Sequence, residues 1–126
     1  MQTQGQIQAA ICDGLRQFAQ EYMGRGPEAI HAHLLCDMLV VRLEGVLTAA
    51  ERQLVESLPP EKGRDLLKQV RTHLVEAARA RLEAVIQDIT GVKIVSMHHD
   101  ISTVTGEEMV AFTLAQAPAF REVKRK

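Results

Sequence analysis

Tryptophan is absent from the 126 residues, and one tyrosine and three phenylalanines bring aromatics to only 3%. That weakens any stacking platform on which single-stranded nucleic acid would be held. Charge of one sign is missing as well: 15 Lys plus Arg face 16 Asp plus Glu, a net charge of −1, so no overall field draws the chain to DNA or RNA. Long apolar runs are missing too. Met38–Val41, in the middle of the chain, falls far short of the ~20 residues of a membrane span. The polar, uncharged start Met1–Gln6 lacks the basic residues and apolar stretch of a signal peptide, which makes the cytoplasm the expected compartment. Cysteine is scarce. Cys12 and Cys36 are widely spaced and form no Cys-x-x-Cys, so neither a disulfide scaffold nor a thiolate metal pair is expected, and both thiols are read as reduced and partly buried.

What is present is a globule's composition. Hydrophobic residues make up 46% and charged residues 25%, enough for one core in one domain. Ile7, Ile11, Leu15, Phe18 and Tyr22 recur at steps of three and four, which predicts a helix over 7–22. Gly24-Arg25-Gly26-Pro27 stops it. Two strands, 29–35 and 38–44, then read as a hairpin around Cys36-Asp37. Thr48 with Glu51 three residues on forms a capping box, opening a short helix that Pro59-Pro60 ends. From 61 to 89, Leu67, Val70, Leu74, Ala78, Leu82, Val85 and Ile89 mark one long helix, with Lys68, Arg71, Glu76, Arg79 and Glu83 on its opposite side. Val92–His99 and Glu108–Leu114 read as a second hairpin. The order α-β-β-α-α-β-β, without βαβ alternation, predicts an α+β domain over 1–115: an antiparallel sheet of two hairpins crossed by the long helix. Residues 116–126 read as a basic tail that is expected to be mobile.

The long helix carries a length argument. About 28 residues span about 42 Å, whereas a chain of this size folds to a sphere about 36 Å across. The overhanging apolar stripe would need a partner, which predicts a homodimer. A break near His73 is the competing outcome.

Several stretches taken in order resemble the MpsC family. They are Gly24-Arg25-Gly26-Pro27, Asp37, Val40 through Thr48 with Glu51 and Leu54, Thr90-Gly91-Val92-Lys93 leading to Asp100, and Phe112-Thr113-Leu114. The resemblance spans about residues 5–115. It implies the small soluble component of a sodium-translocating, membrane-potential-generating system. The membrane subunit of that system resembles the ion-translocating subunits of respiratory complex I, and the system is linked to bicarbonate uptake. The family supplies no catalytic residue to carry over. The expectation is therefore an accessory protein whose partner is a membrane ion-translocating subunit, without nucleic acid, cofactor or a span of its own. A peripheral position at the inner membrane face would follow.

Three residue sets compete with that reading. Gly24, Arg25 and Gly26 offer free N–H groups beside a guanidinium, which suits an anion such as bicarbonate or phosphate; the plainer reading is a helix stop with Arg25 solvated. His31 and His33 share one strand face, and His98 and Asp100 share another, so neighbouring hairpins would bring four ligands to zinc or iron. The plainer reading is two polar strand ends facing water, or a His holding a loop carbonyl. Arg121, Lys124, Arg125 and Lys126 in the tail suit an anionic membrane or partner, or simply solvent. The alternative function is thus an anion- or metal-binding regulatory domain. Ser96, Ser102 and Cys36 are available nucleophiles, but none lies in a recognised elbow or cysteine motif, so no enzyme is expected.

Overall fold

The computed structural model describes residues 1–122. Helix α1 (Gln4–Tyr22) leads to hairpin β1 (Ala29–Leu35) and β2 (Met38–Glu44). Helices α2 (Ala49–Ser57), α3 (Pro60–Ala77) and α4 (Arg79–Thr90) follow, then β3 (Ile94–Ile101) and β4 (Glu108–Leu114). The four strands form one antiparallel sheet in the order β1-β2-β4-β3. The α+β class and the pair of hairpins are as the sequence predicts. The hairpins join through β2 and β4, which leaves β1 and β3 as opposite edges.

Local chemistry explains the boundaries. Thr3 and Gln6 close a capping box at the start of α1: the Gln6 N–H donates to Thr3 Oγ1 at 3.2 Å, and the Thr3 N–H donates to Gln6 Oε1 at 2.8 Å. Thr48 and Glu51 do the same for α2. Gly91, at φ +73°, ends α4 in the left-handed conformation that favours glycine. The β1–β2 turn places Cys36 at φ +57°, and the thiol is exposed rather than partly buried.

The predicted single helix does not survive. It divides at Ala78, where φ −94° and ψ 4° depart from helical values. The Ala78 N–H is shared among the carbonyls of Leu74, Val75 and Glu76, and Tyr22 Oη donates to the Leu74 carbonyl at 3.2 Å. The break leaves α3 against β3 and turns α4 onto α1. Both halves then bury their apolar stripes within one chain, Leu67 and Val75 from α3 and Leu82 and Ile86 from α4. The overhang that predicted a homodimer is therefore gone.

Helices α1, α3 and α4 pack on one face of the sheet, and α2 packs on α3. Ile30, Ala32 and Leu34, then Leu39, Val41 and Leu43, then Val110, Phe112 and Leu114, with Met97 and Ile101, point into that core with Ile7, Ile11 and Leu15 of α1. Among the described residues the other face is bare.

Candidate functional site

A chain of charged groups runs beneath the sheet's covered face. Arg71 of α3 is almost wholly buried, at 3% exposure. It follows Gly63 and Leu67 and precedes Val75 at steps of four, so it lies on the helix's inward stripe. This corrects its placing on the solvent side. Its Nε and one terminal nitrogen grip Glu51 of α2 in a bidentate pair at 2.9 and 2.7 Å. The same terminal nitrogen donates to the Val46 carbonyl at 2.9 Å, and the other reaches Glu108 Oε2 of β4 at 3.4 Å. That oxygen also bonds His99 Nε2 of β3 at 3.0 Å. Glu108 and His99 lie two residues from the inward-facing Val110 and Met97, on the same strand face, which is why the strands carry them inward.

The network therefore ties α2, α3, β3, β4 and the β2–α2 loop together at one end of the domain. Glu51 has two tasks, since Oε1 also accepts the Thr48 N–H of its capping box at 3.0 Å. Burial pushes the Glu51 pKa up, but the Arg71 and Thr48 hydrogen bonds outweigh it and hold the carboxyl below its ordinary value. His99 Nδ1 is buried without a hydrogen-bond partner among the described residues. Beside Glu108 lies an apolar cavity of ≈ 50 Å³ lined by Leu15, Tyr22, Val75, Leu82 and Phe112. A cavity of about 150 Å³ is known to accept benzene, so this smaller one is read as a packing gap beneath the α3–α4 break. The arrangement locks elements together; its guanidinium is already committed to two carboxylates and a carbonyl.

The residues singled out from sequence lie elsewhere. Gly24 adopts φ +80°, but Arg25 between the two glycines pairs with Glu28 at 3.3 Å. His31 and His33 stand on the bare face at the β1 edge, and His98 stands on the same face at the β3 edge. Three strand spacings separate those edges, about 14 Å, so one chain does not bring the set together. Asp100 bonds Lys68 of α3 at 3.0 Å, and that bond, with the Ile101 N–H, lowers its pKa. No group of three or more His, Cys, Asp or Glu among the described residues is arranged to hold a metal. Arg121 bonds the Met1 carbonyl at 3.3 Å, and its N–H bonds the Gln2 carbonyl at 2.8 Å. Lys124, Arg125 and Lys126 lie outside the described residues. Burial pushes the Cys12 thiol pKa up, away from thiolate chemistry.

The molecule is thus a two-layer α+β domain with the charged Arg71 and Glu108 turned inward. No helix among the described residues is long and apolar enough to cross a membrane. It belongs to the MpsC family: the family model, described as the Na+-translocating membrane potential-generating system (MpsC), matches residues 3–116. The chain is similar to two uncharacterized proteins of Bacillus subtilis (strain 168). It is 37% identical to YbcI over 112 residues, 89% of this chain and 88% of that one. It is 30% identical to YrhF over 103 residues, 81% of this chain and 80% of that one. No solved structure matches it significantly.

Proposed function

We propose that the chain is a non-catalytic accessory component of a Na+-translocating membrane potential-generating system, seated at the inner face of the membrane against the ion-translocating subunit. The observation that carries this reading is the family match over residues 3–116. The inward closure of Arg71, Glu51, Glu108 and His99 supports it, because groups bonded to one another beneath a sheet stabilise a scaffold and leave recognition to the surface. The movement of sodium, and of bicarbonate where the system carries it, would belong to the membrane subunit.

The test is affinity capture of the tagged chain from detergent-solubilised membranes of its own cells. A multi-span ion-translocating subunit should co-elute in fixed ratio, and deleting the chain should lower the sodium-dependent membrane potential. Capture of the chain alone, together with an unchanged potential in the deletion strain, would overturn the proposal.

A further inference from the structure

The bare face of the sheet reads as four-residue rows. One row runs His31, Arg42, Met109, Asp100; the next His33, Val40, Ala111, His98; the third Leu35, Met38, Thr113, Ser96. The central strands present Met38, Val40, Met109 and Ala111 beside Arg42 and Thr113; Met38 is 40% and Met109 41% exposed, and Leu35, on the β1 edge, is 54% exposed. The histidines stand at the two edges. Sideways extension through β1 is blocked, because α1 closes that edge. Gln4 Nε2 donates to the Leu34 carbonyl at 2.8 Å, and Gln8 Oε1 accepts the Leu34 N–H at 2.9 Å. The exposed face has no such cover among the described residues.

Two copies of this face fit one another in one orientation better than in the other. A two-fold axis parallel to the strands lays β1 of one copy over β3 of the second and sets each row against itself reversed. His31 then meets Asp100, His33 meets His98, and Val40 meets Ala111. Arg42 lies over Met109, with its head turned to Glu44 of its own strand, 3.6 Å away. An axis across the strands would instead set the His31–Arg42 row against Leu35 and Met38, placing charge on apolar surface. Packed sheets lie about 10 Å apart, so imidazoles rising from opposite sheets meet midway.

We infer that a second copy of this chain covers the bare face and that a divalent transition metal of the zinc class joins the two. His31 and His33 of one copy and His98 of the other are the imidazole ligands, two such sites per dimer. Asp100 of the other copy lies two residues along β3 from His98, on the same face and opposite His31. Both of its hydrogen bonds fall on Oδ1, which leaves Oδ2 as the fourth donor of a tetrahedral set. Imidazole and carboxylate suit that ion. The footprint of four strands by seven residues is roughly 450 Å², short of the ≈ 800 Å² per partner of a standard stable interface. Apolar contact alone therefore leaves the pair weak, and the metal makes it form. This inference does not depend on the membrane role proposed above.

Sedimentation of the full chain with zinc sulfate or with a chelator tests it. Zinc should double the mass, with one ion bound per chain, and the chelator should restore the monomer. The double variant His31→Ala/His33→Ala and the single variant His98→Ala should each stay monomeric in zinc while keeping the native circular dichroism spectrum, since all three side chains are exposed. Mixing the two variants should restore a dimer holding one zinc, half the wild-type number per dimer, because one of its two sites is then intact. A site within one chain cannot show that complementation. Zinc that leaves the mass unchanged, a His98→Ala chain that still dimerises with zinc, or a mixture that stays monomeric would each overturn the inference.

Discussion

The two faces of the sheet are built from the same strands and put charge to opposite use. On the covered face Arg71, Glu51, Glu108 and His99 bond one another in a dry setting. On the bare face His31, His33, Arg42 and His98 meet water. Both faces carry an ion pair that lowers a carboxylate pKa, Arg71–Glu51 on one and Lys68–Asp100 at the rim of the other. The first is bidentate and buried; the second is a single bond to a carboxylate 74% exposed. Burial decides which of them the fold depends on.

The largest effect should come from breaking the buried set. Arg71→Ala leaves Glu108 and Glu51 without their cation, and removing one member of a buried pair costs about 3–5 kcal/mol. Urea unfolding should show it as a lower midpoint. Met38→Ala on the bare face should change stability by less than about 0.5 kcal/mol. Similar losses for the two variants would erase the distinction between the faces.

Next comes the approach of α1 to α4. A Cβ built on Gly14 would stand 2.9 Å from Val85 Cγ1 and 3.4 Å from Ile89 Cδ1. Gly14→Val should overpack this contact and cost about 1–3 kcal/mol. Val85→Ala in the same chain should return part of it, a coupling readable in a double-mutant cycle. A purely additive pair would show that the cost of Gly14→Val does not arise at Val85.

The covered face was partly legible in the sequence. Steps of four place Arg71 on the stripe of Leu67 and Val75, and alternation places Glu108 with Val110 and Phe112 and His99 with Met97. Position alone marks those polar residues as inward, against the usual preference of charged side chains for solvent. The Thr3–Gln6 capping box was equally readable from its spacing and was missed. The break at Ala78 was not readable. No glycine or proline marks it among Ala77, Ala78 and Ala80, and the cause is tertiary: Tyr22 takes the Leu74 carbonyl, and α1 draws α4 onto itself. Strand order was the other missing fact. Histidines placed correctly on one face stood at its two edges, because the hairpins join through β2 and β4.

Acid should separate the faces again. The Glu51 pKa is lower folded than unfolded, so its contribution is present above the ordinary carboxylate range and is lost as pH falls through the folded value. Glu51→Gln should flatten the fall of stability on acidification. Asp100 has the same sign of shift, but solvent screens its bond to Lys68, so Asp100→Asn should leave the acid profile nearly unchanged. Stability measured from neutral pH down to acid checks both, and an Asp100 effect as large as that of Glu51 would contradict the ranking by burial.

The smallest effect tests the bare face at its tip. Cys36 opens the two-residue turn between β1 and β2 with φ +57°, a conformation that L side chains adopt at a cost and glycine adopts freely. The thiol is exposed, so removing it sacrifices no packing. Cys36→Gly relieves the strain but raises the entropy of the unfolded chain, which offsets part of the gain. The net should be a stabilisation of about 0.5 kcal/mol, seen as a higher urea midpoint with an unchanged slope. Because Asp37 follows in the same turn and its carbonyl accepts the Leu114 N–H at 2.7 Å, a relaxed turn also holds β2 in register with β4. A lower midpoint would mean that the Cys36 side chain, not its backbone, is what the turn requires.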